Sequence, residues 1–424
     1  MSEPTSSTHR RPKVVVVGGG FAGLSAVRQL SGADVDVLLL DRFGYTTFQP
    51  LLYQVATGGL NPGDVTYALR AFTSRHRNAR FRRVEVTKID TDAHVVHVED
   101  GEPIAYDYLV LACGVGASYF GIPGAADHSQ TIYTRADAIR ARDLMVSALE
   151  DAAQGSLAAK EPVFVVVGGG ATGVEMAGTL AELRNGAVPV AYPDLDVRRV
   201  RVVLVEMSSD VLGPFHPKLR RYAARALRER GIELRLDTAV KEVREDAVVV
   251  QRDGFERETI PAAVTIWATG VTAEPIVGGW GLPTGRGGRI ETEPDLRVRG
   301  CPDVFAVGDV AVTPDAPLAQ LAPPAIQGGR HAGRQIRRLL AGSLTEPFRY
   351  RDKGTMATIG RSDAVVQLPF GLRVKGFPAW VAWLALHLVE LMGGRNRIAS
   401  MINLSVRYLS WPRSVNIVVG DHVD

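Results

Sequence analysis

Lys13-Val14-Val15-Val16-Val17-Gly18-Gly19-Gly20-Phe21-Ala22-Gly23 stands near the start of the 424-residue chain, and its reading decides the fold. Residues 14–17 are an unbroken β-branched run, the mark of a strand buried on both faces of a parallel sheet. The run enters a GxGxxG turn, then a helical stretch through Leu30, then a second apolar run at 35–40 that ends in Asp41. Strand, glycine turn, helix, strand and acid thus follow one another within 28 residues. Gly18 permits a tight turn, Gly20 lets the backbone approach a pyrophosphate, and Gly23 lets helix and strand pack closely. The helix start offers free N–H groups to an anion, and Asp41 is placed to accept hydrogen bonds from a ribose.

The pattern recurs. Residues 163–167 form a strand that leads into Gly168-Gly169-Gly170-Ala171-Thr172-Gly173 and a helix through Leu183. The next strand, 201–205, ends in Glu206. This acid lies 38 residues after Gly168, against 23 in the first copy, and a Pro/Arg-containing insertion around 185–199 accounts for the delay. Two such modules imply two nucleotides, and the useful pair is a flavin beside a nicotinamide. Glu206 would repel a 2′-phosphate, which favours NADH over NADPH. Short strands at 108–112 and 264–268 lead into Cys113-Gly114 and Thr269-Gly270. A strand at 304–308 ends in Asp309, a carboxylate suited either to ribityl hydroxyls or to capping a helix.

Composition narrows the class. Hydrophobic residues are 46% and charged residues 22%, which excludes a disordered chain, a collagen-like fibre and a coiled coil. With 49 Lys plus Arg against 46 Asp plus Glu, the net charge of +3 is too balanced for a nucleic-acid binder. The two cysteines, Cys113 and Cys301, form no CxxC, so dithiol chemistry and a zinc knuckle are excluded and no metal is expected. So few cysteines suit a reducing compartment. Residues 1–13 lack the apolar core of a secretory signal.

At this point the chain resembles the flavoproteins with two dinucleotide-binding domains. Within them it is similar to the type II NADH dehydrogenases, the non-proton-pumping NADH:quinone oxidoreductases. Beyond the glycines, three stretches carry the resemblance. They are Phe48-Gln49-Pro50-Leu51-Leu52-Tyr53-Gln54-Val55-Ala56-Thr57-Gly58, Gly173-Val174-Glu175-Met176-Ala177-Gly178-Thr179-Leu180-Ala181-Glu182, and Asp352-Lys353-Gly354-Thr355-Met356-Ala357-Thr358-Ile359-Gly360-Arg361. Two departures stand out. Pro323 occupies a position where that family often has Gln, just before Ala325-Ile326-Gln327, and Cys113 replaces a Thr. Sulfide:quinone and glutathione-reductase-like chemistry need a cysteine pair at the flavin. Cys301, read as part of a surface turn, makes such a pair with Cys113 an unfavourable reading.

The resemblance implies an α/β fold with two Rossmann-like domains of the pyridine nucleotide-disulfide reductase type and a C-terminal amphipathic-helix membrane anchor. The expected divisions are an FAD domain at 13–125 and 285–345, an NADH domain at 126–284, and a flavin-facing and membrane-anchoring tail at 346–424. FAD would be held non-covalently by Gly18, Gly20, Phe21, Ala22, Gly23, Asp41 and Arg42, with Val86, Ala112, Gly114, Gly308, Asp309 and Ala325 around it. NADH would meet Gly168, Gly170, Thr172, Gly173, Glu206 and Gly270. Glu175 is implied to face both rings, orienting NADH and relaying protons, or else it is only a carboxylate at a helix start. Gln54, also near the cofactor, and Gln327 are candidates for the quinone headgroup, whether menaquinone or ubiquinone. Lys353 would stabilise developing negative charge, or is a surface lysine.

The tail has its own signature. Trp380, Trp383 and Trp411 lie in the last 45 residues, and Arg373 to Arg413 contains six basic residues and one acid. Residues 377–392 are apolar nearly all round and break at Gly393-Gly394. Asn396, Ser400, Asn403 and Arg407 then share one helical face, with Ile398, Met401, Ile402 and Leu409 opposite. Trp and Arg flanking apolar helices read as an interfacial anchor, here on the cytoplasmic side of the cell membrane. The alternative is a pair of core or homodimer-interface helices. Two other functions compete: a soluble NADH-dependent reductase of a ferredoxin or rubredoxin, and a non-enzymatic flavoprotein that senses NADH.

Overall fold

The computed structural model describes residues 10–155 and 161–410. Trp411, Arg413, residues 1–9 and the side chains of Arg407 and Leu409 lie outside that description. Contacts divide the chain into two compact units. The first comprises residues 1–46, 67–116 and 271–352, the second 47–66, 117–270 and 353–424. These cuts differ from divisions drawn by nucleotide module, because residues 47–66 and the tail group with the second glycine motif.

In the first unit, six strands run in the order Arg297–Val298, Cys301–Ala306, Tyr108–Leu111, Lys13–Val17, Asp36–Asp41, Ala79–Arg83. All neighbours are parallel except the Arg297–Val298 edge pair. Val14, Val15 and Val16 have no exposed surface, as expected for the centre of a sheet covered on both faces. Cys301 corrects the surface-turn reading. It is the first residue of the strand Cys301–Ala306 and packs against the buried cluster of this unit. Both cysteines are free thiols.

The helices Phe21–Leu30 and Ala322–Leu340 are pressed together in this unit because the facing positions carry almost no side chain. A β-carbon on Gly329 would run into the carbonyl of Ala22, and one on Gly333 would come 2.7 Å from the Gln29 Cβ. Pro323 falls in the first turn of the second helix, where no N–H is needed. The family departure is thus locally favourable.

The second unit repeats the plan around Val163–Val167. Four parallel strands run in the order Glu233–Arg235, Arg201–Val205, Val163–Val167, Val264–Trp267. Two three-stranded antiparallel sheets accompany it, Thr238–Val243 with Ala247–Arg252 and Arg257–Pro261, and Thr355–Gly360 with Asp363–Gln367 and Arg373–Lys375. The glycine helix Ala171–Glu182 lies on Thr355–Gly360, and Gly178 lets the backbones meet: a β-carbon there would crowd the Ile359 carbonyl carbon at 2.7 Å. The insertion begins as a turn of π-helix, Leu183–Ala187, that continues the glycine helix.

The tail forms two helices, Phe377–Glu390 and Gly394–Ser410, with the break at the expected glycines. Their orientation is the reverse of an ordinary surface helix. The polar side of Gly394–Ser410 is turned inward. Ser400 is fully buried, Asn396 donates to the Thr66 carbonyl at 2.6 Å, and Asn403 donates to Asp64 Oδ2 at 2.6 Å. Ile398, Met401, Ile402 and Val406 are each at least half exposed. On Phe377–Glu390, Trp380 and Trp383 are buried while Phe377, Val381, Leu386 and Val389 face outward. No helix among the described residues is long and apolar enough to cross a membrane.

The helix pair in the first unit yields a test. Gly329→Ala should lower stability by about 1–3 kcal/mol through overpacking against Ala22. Thermal unfolding of the holoprotein reads this as a drop in Tm.

Candidate active site

The first cradle is built from the main chain. Gly18 has φ of +105°, and a β-carbon there would lie 2.6 Å from the Ala112 carbonyl carbon. Gly23 has its α-carbon directly beneath the Gly18 carbonyl, leaving no space for a side chain. Gly20 opens on empty space, and no side chain caps the helix start. The first-turn N–H groups therefore point at whatever occupies that space. Asp41 closes the loop: Oδ2 accepts from Gly19 N–H at 2.6 Å and Oδ1 from Phe43 N–H at 2.7 Å. Burial raises its pKa, against the opposing pull of those two amides and Arg42.

The remaining residues expected around the flavin have several settings. Arg42 pairs with Glu274 at 3.2 Å and lies over the Phe43 ring. Ala22 and Ala325 approach Gly308, which has φ of +74°. Val86 is part of the buried cluster of this unit. Phe21 begins the helix, and Gly114, with φ of +74°, has open space on its Cβ side. Burial pushes the Cys113 thiol up to about 12, so it is not a nucleophile at neutral pH.

Asp309 provides the fit test for a flavin. Its half-buried carboxyl is pushed up to about 6 by burial, with Arg289 drawing it the other way. Arg289 Nε itself donates to the Asp309 main-chain carbonyl at 2.9 Å. The carboxylate has no hydrogen bond to another described residue. An acceptor left in this state suits hydroxyl groups of a bound ligand. With the open space at Gly20, it fits FAD.

The second cradle repeats the first. Gly168 has φ of +108°, a β-carbon on Gly173 would strike the Gly168 carbonyl, and Gly170 is open. Glu206 accepts from Gly169 N–H at 2.5 Å and from Ser208 N–H at 2.7 Å. Gly170 and Thr172 are exposed at the uncapped start of the helix. The Gly270 carbonyl accepts from Ser118 N–H at 3.1 Å.

One turn into this helix stands Glu175, only 9% exposed. Burial pushes its carboxyl up to about 8. Oε1 accepts from Thr358 N–H at 3.2 Å, and the Thr358 hydroxyl shares a 3.2 Å hydrogen bond with Tyr53 OH. Tyr53 leans on Trp383, whose ring stacks on His387 at 4.0 Å. Burial pushes His387 down to about 4, and its Nδ1–H donates to the Trp383 carbonyl at 2.8 Å. Gln54 is buried beside Tyr53 on the helix Leu52–Ala56. Tyr53, Thr358, Trp383 and His387 were not among the sequence candidates for the site. The first two lie within motifs quoted for the resemblance, and the other two lie in the apolar run read as a membrane anchor or, alternatively, as a core or homodimer-interface helix.

The other two candidates sit differently. Gln327 is paired by its amide to a single main-chain residue, donating from Nε2 to the Arg351 carbonyl at 2.9 Å and accepting from Arg351 N–H at 3.0 Å. Lys353 is exposed. No group of three or more His, Cys, Asp or Glu able to hold a metal occurs among the described residues.

A paired-cradle architecture of this kind defines a class. Residues 12–329 match the profile of the pyridine nucleotide-disulphide oxidoreductases. The type II NADH:quinone oxidoreductase Ndh of Mycobacterium tuberculosis is 37% identical over 97% of this chain and 91% of that one. NdhA of the same organism, also a type II NADH:quinone oxidoreductase, is 38% identical over 96% and 89%. The structure of NDH2 from Plasmodium falciparum in complex with NADH has the same fold, with a TM-score of 0.87, 19% identity and coverage of 94% of this chain and 99% of that one. The chain belongs to the type II NADH:quinone oxidoreductases, within the pyridine nucleotide-disulphide oxidoreductase family.

The Glu175 shift sets a pH dependence. The folded carboxyl keeps its proton from the ordinary value of 4.5 up to about 8, so stability is fully present below 4.5 and is lost as pH rises through 8. Glu175→Gln imitates the protonated form. It should raise Tm over wild type at pH 9, with the gain vanishing toward pH 4, in a series of thermal melts.

Proposed function

We propose that the chain is an NADH:quinone oxidoreductase that binds FAD non-covalently in its first cradle and NADH in its second, and works at a membrane surface without pumping protons. The observation that carries the reading is the duplicated cradle, whose second copy has a buried carboxyl one turn into its helix. Bound FAD would supply the redox chemistry, taking a hydride from NADH and passing two electrons to a quinone.

The chain's own part is to bind, orient and hold protons. Gly20 and Gly170 leave open space beside two uncapped helix starts, where two pyrophosphates would sit. Asp309 offers its unpartnered carboxylate to ribityl hydroxyls. Glu206 presents negative charge where a 2′-phosphate would sit, which favours NADH. Quinone reduction consumes two protons. Glu175, protonated at neutral pH with a pKa near 8, has the value expected of a group that gives and regains a proton there. Gln54 and Gln327 are assigned to the headgroup. Gln327 would act in the position that its pairing to Arg351 fixes. Lys353 is assigned to countering negative charge.

The tail's outward apolar residues support docking of one leaflet from the cytoplasmic side, where a membrane quinone is dissolved. Reduction of a small soluble redox protein, or NADH sensing, gives those exposed side chains no role. Charge on the exposed face tests the docking without disturbing the buried polar face. Ile398→Glu with Ile402→Glu should lower partition onto liposomes at least tenfold while Tm stays near wild type. If binding persisted and only a homodimer dissociated, the face would belong to subunit contact instead.

The role of Glu175 has a separate measurement. Glu175→Gln should retain FAD and NADH affinity but turn over quinone about 10²-fold more slowly. Unchanged steady-state kinetics would remove Glu175 from the reaction.

A further inference from the structure

The C-terminal helix Phe377–Glu390 contributes a buried donor that the anchoring role does not use. Trp383 is 1% exposed, and its indole N–H meets no acceptor in hydrogen-bond geometry among the described residues. An unmatched buried N–H is costly and calls for a reason. The surrounding groups supply one. Trp383 leans on Tyr53 with ring centroids 6.3 Å apart. Tyr53 OH bonds the Thr358 hydroxyl, whose own N–H is bonded to Glu175. The His387 ring stacks on the indole at 4.0 Å and restrains the ring plane.

We propose that Trp383 is a positioning residue for Glu175, its indole N–H acting as the side-chain donor that receives the carboxylate whenever Glu175 gives up its proton. This rests on the reading of Glu175 as the proton-holding group. The Trp383 N–H already draws the Glu175 pKa down against burial, although the contact falls outside strict hydrogen-bond geometry. A small movement of the carboxylate on ionisation would close it. Among the described residues, Trp383 alone acts on the Glu175 pKa as a side-chain donor. The strand Thr355–Gly360 has no titratable residue. The helix Leu52–Ala56 offers Tyr53, already bonded to Thr358, and the buried amide of Gln54, which makes no contribution to the Glu175 shift. Helix Phe377–Glu390 offers His387, held neutral, and Glu390, which is exposed. The basic residues on the other packed elements, Arg184 on Leu183–Ala187, Arg201 on Arg201–Val205 and Lys218, Arg220, Arg221, Arg225 and Arg228 on Pro217–Glu229, with Tyr222 and Glu229, make no contribution to the Glu175 shift.

The test follows the carboxyl directly. In the holoenzyme, the infrared C=O band of protonated Glu175, assigned by its loss in Glu175→Gln, is titrated with pH. Trp383→Phe keeps the aromatic packing and removes the donor, so the midpoint should rise by about one pH unit, and the pH profile of quinone turnover should move with it. Trp383→His restores a ring N–H and should recover part of the shift. A superimposable titration in Trp383→Phe overturns the proposal. For the case where Trp383→Phe does not fold, 15N-tryptophan-labelled wild type carries its own readout. One indole N–H resonance should titrate with the Glu175 band and stop doing so in Glu175→Gln, and no titrating indole overturns the proposal. Absence of a Glu175 band, or an inert Glu175→Gln, defeats the underlying reading of Glu175 rather than the pairing alone.

Discussion

A carbonyl oxygen pressed against a bare α-carbon governs this molecule. At Gly23 against Gly18, and again at Gly173 against Gly168, there is no room for even one methyl group. That closeness turns the chain sharply enough to start a helix directly over a strand end. The sharp start sets the uncapped first turn beside the open space at Gly20 and Gly170. Each loop is then tied by an acid at the tip of the adjacent strand, to Gly19 N–H in one copy and Gly169 N–H in the other. The second copy has fifteen more residues between glycine and acid, yet the tie is conserved in kind, with Glu in place of Asp. The extra chain is accommodated as a π-turn and short helices after the glycine helix. An insertion placed there leaves the sheet register untouched.

Burial then acts on the ionisable groups in one direction. Asp41, Asp309 and Glu175 are all raised, and His387 is lowered. Each shift favours the uncharged form, and desolvation is the largest cause in every case. The outcomes differ because the compensation differs. Asp41 has two amide donors and an arginine, Asp309 only Arg289 for charge, and Glu175 one amide and the Trp383 indole. Asp309 rises to about 6, and Glu175, the more deeply buried of the two, to about 8. Burial thus gives Glu175 a pKa well above the one that a helix-start position alone would favour.

What could be read in advance followed from local periodicity. The two glycine turns, the strands 163–167 and 201–205, and the break between the tail helices all stand where the residue pattern placed them. These features depend on short-range rules: β-branched runs, φ above zero at glycine, and helix-breaking pairs. The Glu175 cluster was legible only in part, because Tyr53, Thr358 and Trp383 come from segments up to 330 positions apart and share no local signal. Cys301 was misplaced because Gly300 and Pro302 resemble turn punctuation, whereas Pro302 is accommodated within an edge-side strand. Gln327 was chosen for its amide, and nothing in a linear sequence shows that an amide is occupied by the backbone of Arg351.

The tail shows how a helical face can be read correctly and still leave its orientation open. Asn396, Ser400 and Asn403 do share one side, but they face the protein and bond to Thr66 and Asp64 or are sealed from water. An arrangement with Ile398, Met401 and Ile402 outward is unfavourable in water and becomes favourable against hydrocarbon. The same constraint reaches inward along the preceding helix. Val389, 65% exposed, and Trp383, buried beside Tyr53, are six residues apart, about 9 Å along the axis. One helix therefore carries both outward apolar residues and the indole that packs on Tyr53.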